Sequence, residues 1–228
     1  MNKLAGILSF MVVLLGMTSC MEDEGDMEPI SVAYVSIFHA SPDAPDLDVV
    51  LDDQPIFNEP LEYTDFANYR QFYTGERELA FNAYNASNVL ADTTFDFQEN
   101  KVYSVFVIND LADLSTLIVE DKADTPESGK ALVRFVQLSP DAPALDFSVG
   151  EDSLLFTNQE FKQATDFTEV DADTYALALK TAGEDDTLVS VPDAELISGR
   201  IYTVIARGFT NTPAGNTNGL SIQIIQNQ

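Results

Sequence analysis

The stretch HASPDAPDLDVV (residues 39–50) returns later in the chain as QLSPDAPALDFSV (residues 137–149). Each copy follows a run of alternating character. In VAYVSIF (32–38), Ala33, Val35 and Ile37 share one side and Ser36 takes the other; in ALVRFVQ (131–137), Val133 and Phe135 point inward and Arg134 outward. A period of two with one polar side reads as a half-buried strand. Ser41-Pro42-Asp43-Ala44 then has the chemistry of a type I turn: proline pre-sets the second position, and the Ser or Asp side chain bonds backbone amides. Pro45 pushes Ala44 into an extended conformation. The chain therefore enters LDVVL (47–51) already extended, with Leu47 and Val49 inward and Asp48 outward. The second copy repeats this with Leu145 and Phe147 inward and Asp146 outward. The repeated pentapeptide is the first corner of a β-sandwich, written twice.

The rest of the chain carries the same duplication. KVYSVFVI (101–108) matches RIYTVIAR (200–207), ELAFNAY (78–84) faces TYALALK (174–180), and STLIVED (115–121) matches GLSIQII (219–225). Short runs of Val, Ile, Phe and Tyr broken by Pro, Gly, Asn and Asp are strand signals, and no long stretch has helical periodicity. With roughly seven short strands per copy, the chain is expected to be all-β: two tandem Ig-like or transthyretin-like antiparallel β-sandwich domains. The boundaries follow from texture: residues 1–19 a signal peptide, 20–30 an acidic tether, 31–121 the first sandwich, 122–130 a polar linker, and 131–228 the second. A linker this short implies that the two sandwiches touch or are restrained.

Asn2 and Lys3 form a basic start, and Leu4 to Met17 is an uncharged apolar run too short to span a bilayer, which needs about 20 residues. The run ends in Thr18-Ser19-Cys20, which resembles the lipobox of bacterial lipoproteins. That resemblance implies acylation of Cys20, the only cysteine of the chain, and membrane attachment through it. The acidic cluster Glu22, Asp23, Glu24 resembles the surface-export signal of Bacteroidota lipoproteins, which implies an outer-membrane, lipid-anchored, surface-exposed protein. A net charge of −27, from 38 acidic and 11 basic residues, repels nucleic acid and anionic headgroups. Nucleic-acid binding is therefore excluded.

His39 to Pro45, Leu47 to Val49 and Lys101 to Val105 resemble the bacterial domain of unknown function 4397. Ser139 to Pro143, Leu145, Asp146 and Arg200 to Val204 resemble it a second time, with Gln137 and Leu138 where the family often has His-Ala. The resemblance implies an extracytoplasmic β-sandwich, often tandem and lipid-anchored, and carries over no catalytic residue.

The residues offer little chemistry of their own. His39 is the only histidine, and the second copy has Gln137 in its place. Gln cannot shuttle a proton near neutral pH, so the position is expected to bond backbone at the turn. One His and no free Cys make no usual zinc site, and nothing assembles a nucleophile, a base and an oxyanion donor. The chain is read as a non-enzyme with no required cofactor. Calcium is the one candidate ligand among metals: Asp43, Asp46 and Asp48, with Asp141 and Asp146 in the second copy, are closely spaced oxygens. The alternative is a solvated acidic edge. Tyr63, Phe66, Tyr69, Phe72 and Tyr73 crowd one stretch, and any left exposed would form a ligand-binding surface on the first sandwich. GFTNTPAGNTNG (208–219) is a long tip loop, either a mobile hairpin or a recognition loop. The expected function is a binding or structural module of the cell envelope, for adhesion or protein interaction, with an unknown protein or glycan partner. A carbohydrate-capture accessory is the first alternative and an envelope hydrolase the second.

Overall fold

Alternation of large apolar residues with small or polar ones gives each half of the chain eight strands, seen in a computed structural model that describes residues 30–150 and 153–227. The first half contains β1 (Val32–His39), β2 (Leu47–Leu51), β3 (Gln54–Pro55), β4 (Phe66–Tyr73), β5 (Gly75–Ala83), β6 (Val89–Phe97), β7 (Val102–Ile108) and β8 (Ser115–Glu120). The second contains β9 (Lys130–Gln137), β10 (Leu145–Val149), β11 (Leu154–Gln159), β12 (Thr168–Asp171), β13 (Thr174–Thr181), β14 (Thr187–Glu195), β15 (Ile201–Arg207) and β16 (Ser221–Gln226). Their order is β3-β2-β5-β6 and β4-β1-β7-β8 in the first half, and β11-β10-β13-β14 and β12-β9-β15-β16 in the second. The same two-sheet sandwich is thus built twice. The pairing is not wholly antiparallel as expected: β1 lies parallel to β7, and β9 parallel to β15. Among the described residues no helix is long and apolar enough to cross a membrane.

Each sandwich has its own core. Ala33, Val35, Ile37, Val105 and Val107 meet Leu47, Val49, Leu79 and Phe81 in the first. Val133, Phe135 and Val204 meet Leu145, Phe147, Leu177 and Leu179 in the second, where the Phe135 and Phe147 rings stack with centroids 5.0 Å apart. The other face of β1, β7, β9 and β15 is covered too. Phe38, Phe106 and Ile108 pack against Val136, Leu138, Ile205 and Ile225 in a third core. Residues Ser31–Gln228 accordingly form one compact unit. Complete burial of each such side chain contributes about 1.5–3 kcal/mol, so this third core is a major part of the fold.

Arg134 corrects the sequence reading. It is not at the solvent but 1% exposed, between the two sandwiches. Strands buried on both faces lose the alternation that marks a half-wet sheet, and here the second buried face includes polar residues. Asp146, read as outward, is likewise 4% exposed.

Candidate functional site

The repeated corner is the first place to look for chemistry. In both copies the carboxylates of the two matching aspartate pairs hold backbone. Asp43 Oδ1 accepts from Leu111 N (2.7 Å), in the loop after β7; Asp141 accepts from Thr210 N and Asn211 N (2.7 Å each), in the loop after β15. Asp48 Oδ2 accepts from Asn85 N (2.9 Å) in the β5–β6 turn, and Asp146 Oδ2 from Gly183 N (3.0 Å) in the β13–β14 turn. Asp146 Oδ1 also accepts from Asn158 N (2.7 Å). Partial burial would raise the Asp141 carboxyl, but the amides of Asn211 and Thr210 outweigh it and hold it below the usual carboxylate range. Asp46 is exposed, and its carbonyl accepts from Tyr84 N (2.8 Å). Asp43, Asp48, Asp141 and Asp146 are thus each tied to backbone amides of other loops or strands, the Asp46 carboxylate is not, and among the described residues no three metal-ligating side chains gather.

His39 donates from Nε2 to the Pro45 carbonyl (3.1 Å) across the turn. Gln137 also bonds backbone, but only at the start of its own turn, with Nε2 donating to the Ser139 carbonyl (3.3 Å) and Oε1 accepting from Ser139 N (2.6 Å). His39 Nδ1 is buried without a partner. Burial lowers the imidazole pKa, against the opposing pull of the Pro45 carbonyl, Asp46 and Asp65.

The aromatic stretch divides three ways. Phe72 is core. Tyr63 and Tyr69 reach the second half: Arg207 Nη1 donates to Tyr63 Oη (3.0 Å) with its guanidinium 5.0 Å from the ring centroid, and Tyr69 Oη accepts from Asn227 Nδ2 (2.8 Å) while donating to Asp121 (2.6 Å) of its own half. Phe66 and Tyr73 are exposed, although Phe66 stacks by one face on Phe38 at 5.6 Å. The Gly208 loop reaches back the other way, since Asn216 and Asn218 both donate their Nδ2 hydrogens to the Pro42 carbonyl (2.9 and 2.6 Å). It is held at the first sandwich's corner.

Between the sandwiches lies a polar cluster the sequence did not announce. Arg134 Nη1 stands 2.5 Å from Asp121 Oδ1, out of line for a hydrogen bond. Its Nη2 donates to Ser104 Oγ (2.9 Å), its Nε to Thr203 Oγ1 (2.8 Å), and its guanidinium covers the Phe167 ring at 4.7 Å. Ser104 Oγ donates to Asp121 Oδ2 (2.8 Å), and Asn227 Nδ2 to Tyr69 Oη (2.8 Å). Burial, with Asp121 beside it, pushes the Tyr69 phenol up to about 12. The members come in matching pairs: Ser36 with Arg134, Ser104 with Thr203, Tyr69 with Phe167, Asp121 with Asn227. Two of the pairs differ in charge, Ser36 with Arg134 and Asp121 with Asn227, and these supply the charged partners of the cluster.

A wide opening lies on the first sandwich. β3 stops after two residues at Pro55, which has no N–H for a ladder, whereas β11 runs for six at the matching place. The chain then lifts away and is caught again at Leu61, whose amide and carbonyl exchange hydrogen bonds with Leu47 (2.8 and 3.0 Å). The gap between this loop and the edge strand β4 is an open groove of about 520 Å³. Phe57, Asn58, Glu59, Asp65, Phe66 and Asn68 line it. Of these only Phe66 stood out in the sequence. The available signal for the rest was Pro55 and Pro60 interrupting a strand whose partner copy is uninterrupted.

Among curated proteins, none matches the chain. Likeness to solved structures is weak. A proposed cell adhesion protein from Bacteroides eggerthii DSM 20697 is 11% identical, with 89% of this chain and 97% of that chain covered and a TM-score of 0.23. A leucine-rich repeat protein from Bacteroides thetaiotaomicron VPI-5482 is 11% identical over 76% of this chain and 25% of that one, with a TM-score of 0.19. At these TM-scores the likeness bears on neither fold nor function. The family model of the domain of unknown function DUF4397 matches once, over residues 33–148, from β1 through the first sandwich and across the linker into β10. Cys20, Glu22, Asp23 and Glu24 lie outside the described residues. The chain belongs to the DUF4397 family.

Proposed function

We propose that the chain is a non-enzymatic binding module of the cell envelope, used for adhesion or protein interaction. It is anchored in the outer membrane through an acylated Cys20 and carried to the cell surface by Glu22, Asp23 and Glu24. The two sandwiches are copies of one domain, residues 31–121 and 131–228, joined by residues 122–130. Their common strand order and matching Asp43/Asp141 and Asp48/Asp146 bonds support that reading. The observation that carries the functional reading is the groove beside β4, an open recess with aromatic and polar walls on a body clamped at several points. Concave sites with a few placed polar groups are where ligands bind. A role without catalysis is supported by His39, whose Nε2 is committed to the Pro45 carbonyl inside the fold.

Attachment of cells expressing the full chain tests this. Cells should adhere to a surface bearing cultured cells or their glycoproteins. Adhesion should fall when Asn58 and Asn68 are both changed to Ala, and when Cys20→Ser removes the anchor. Equal attachment by cells lacking the protein would overturn the proposal.

A further inference from the structure

We propose that the groove beside β4 takes a neutral oligosaccharide, an inference that rests on the binding-module reading and names its ligand class. Its walls combine two kinds of group. Phe66, 41% exposed, offers an aromatic surface that suits the C–H face of a sugar ring. Asn58, Glu59, Asp65 and Asn68 are exposed around it. Carboxylates only accept hydrogen bonds, whereas amides both donate and accept. A hydroxyl does both and serves every one of these partners without carrying charge.

Charge selects among sugars. The chain carries a net −27, and two of its acids, Glu59 and Asp65, stand in the groove itself. Arg70 also lines the groove, but its guanidinium is engaged there: it lies 4.7 Å from the Phe57 ring centroid and its Nη1 donates to the Ile56 carbonyl (3.2 Å). A sulfated or uronic saccharide therefore meets repulsion from Glu59, Asp65 and the acidic chain as a whole, against one arginine already engaged with the loop.

Geometry also argues against an extended peptide. β4 is the outermost strand of its sheet, the usual place for strand addition. Its pairing with β1 shifts register between Val35 and Ile37, where Asn68 and Tyr69 together oppose Ser36. This bulge sits on the groove wall and interrupts the regular ladder a peptide strand would need. It leaves a recess read by side chains, as a short saccharide requires.

Calorimetric titration of the chain from residue 21 onward tests the assignment. The probes are neutral tri- and tetrasaccharides of glucose, galactose, mannose and N-acetylglucosamine, with sulfated and uronic saccharides of equal length as counterparts. At least one neutral probe should bind, and the anionic ones should not. Asn58→Ala with Asn68→Ala should weaken that binding about tenfold or more. Neither side chain has a hydrogen-bond partner among the described residues, so the fold should be untouched. Tyr73→Ala, at an exposed aromatic outside the groove, should change nothing. No binding of any neutral probe, preference for an anionic one, or binding indifferent to the groove substitutions would overturn the inference. Cell attachment that persists without saccharide binding would overturn it while leaving the binding-module reading in place.

Discussion

Asp146 and Asp48 occupy matching positions at different depths, and the difference sets what each contributes. Asp146 is 4% exposed and accepts from Asn158 N and Gly183 N, while Asp48 is half-buried and accepts from Asn85 N alone. Hydrogen bonds to a charged group are worth about 1.5–3 kcal/mol, and a buried amide left bare adds its own penalty. Asp146→Ala should therefore lower unfolding free energy by about 3 kcal/mol in urea titrations, and Asp48→Ala by about 1 kcal/mol. The same bonds bear on calcium, since a cation at the corner would have to draw carboxylates away from amides they already serve. Millimolar calcium should move the melting temperature by less than about 1 °C, where a site at 100 times its Kd would add about 2.7 kcal/mol. His39 supplies the pH dependence. Burial holds its folded pKa below the ordinary 6.5, so the unfolded chain binds the proton more tightly. Stability should be full above pH 6.5 and decline as pH falls from there towards the folded pKa. His39→Gln, the residue that position 137 already uses, should flatten that part of the profile. The aspartates and His39 were legible as turn residues because turn chemistry is local. Which amides they hold was not, because those lie far along the chain.

At the scale of elements, the long tip loop shows what a strand pattern conceals. Gly208 has φ +86, and a Cβ built there would lie 2.2 Å from the Gly219 carbonyl oxygen. The loop closes only because one glycine passes over another, and that closure places Asn216 and Asn218 on Pro42. Gly208→Ala should cost at least about 2 kcal/mol. Gly183→Ala, at a similar φ of +76 with nothing within 4 Å, should cost only about 1 kcal/mol. Denaturant melts of the two variants separate close approach from backbone strain. The strands with strong apolar alternation (β1, β2, β5, β7 and their copies) were evident from sequence. β6, β11, β12 and β14 were not, because their residues are largely exposed or half-buried and the alternation is weak. β4 was read as an aromatic run because two of its aromatics serve neither its own core nor a ligand face alone. Tyr69 is re-aimed by the bulge towards Asp121, and Phe66 lies on Phe38. Tyr103 and Tyr202 explain the repeated Tyr-Ser/Thr-Val: each hydroxyl accepts from a backbone amide, Gln98 N (3.3 Å) and Ile197 N (3.0 Å), while Ser104 and Thr203 face the central cluster.

Across the whole molecule, the contact of the two sandwiches decides behaviour. Arg134 and Asp121 are buried together, and removing one partner of such a pair costs about 3–5 kcal/mol because the other charge stays behind. Wild-type chain should melt in a single calorimetric transition. Arg134→Ala should lower it sharply and separate the two halves into distinct transitions. The short linker suggested that the sandwiches touch. The face by which they touch was not legible, because an arginine in an alternating strand is the ordinary mark of solvent. Only the opposing Ser36 and Ser104, small and polar on the other sandwich, make room for it. The groove was hidden for a related reason: it arises from what β3 fails to do after Pro55. The third core also fixes an order of events as the chain is made. The first sandwich emerges with Phe38, Phe106 and Ile108 bare, and they stay bare until Val136, Leu138 and Ile205 arrive. A fragment ending at residue 121 carries that apolar sheet uncovered, so severing the chain at its apparent linker should yield two sticky pieces that associate with each other.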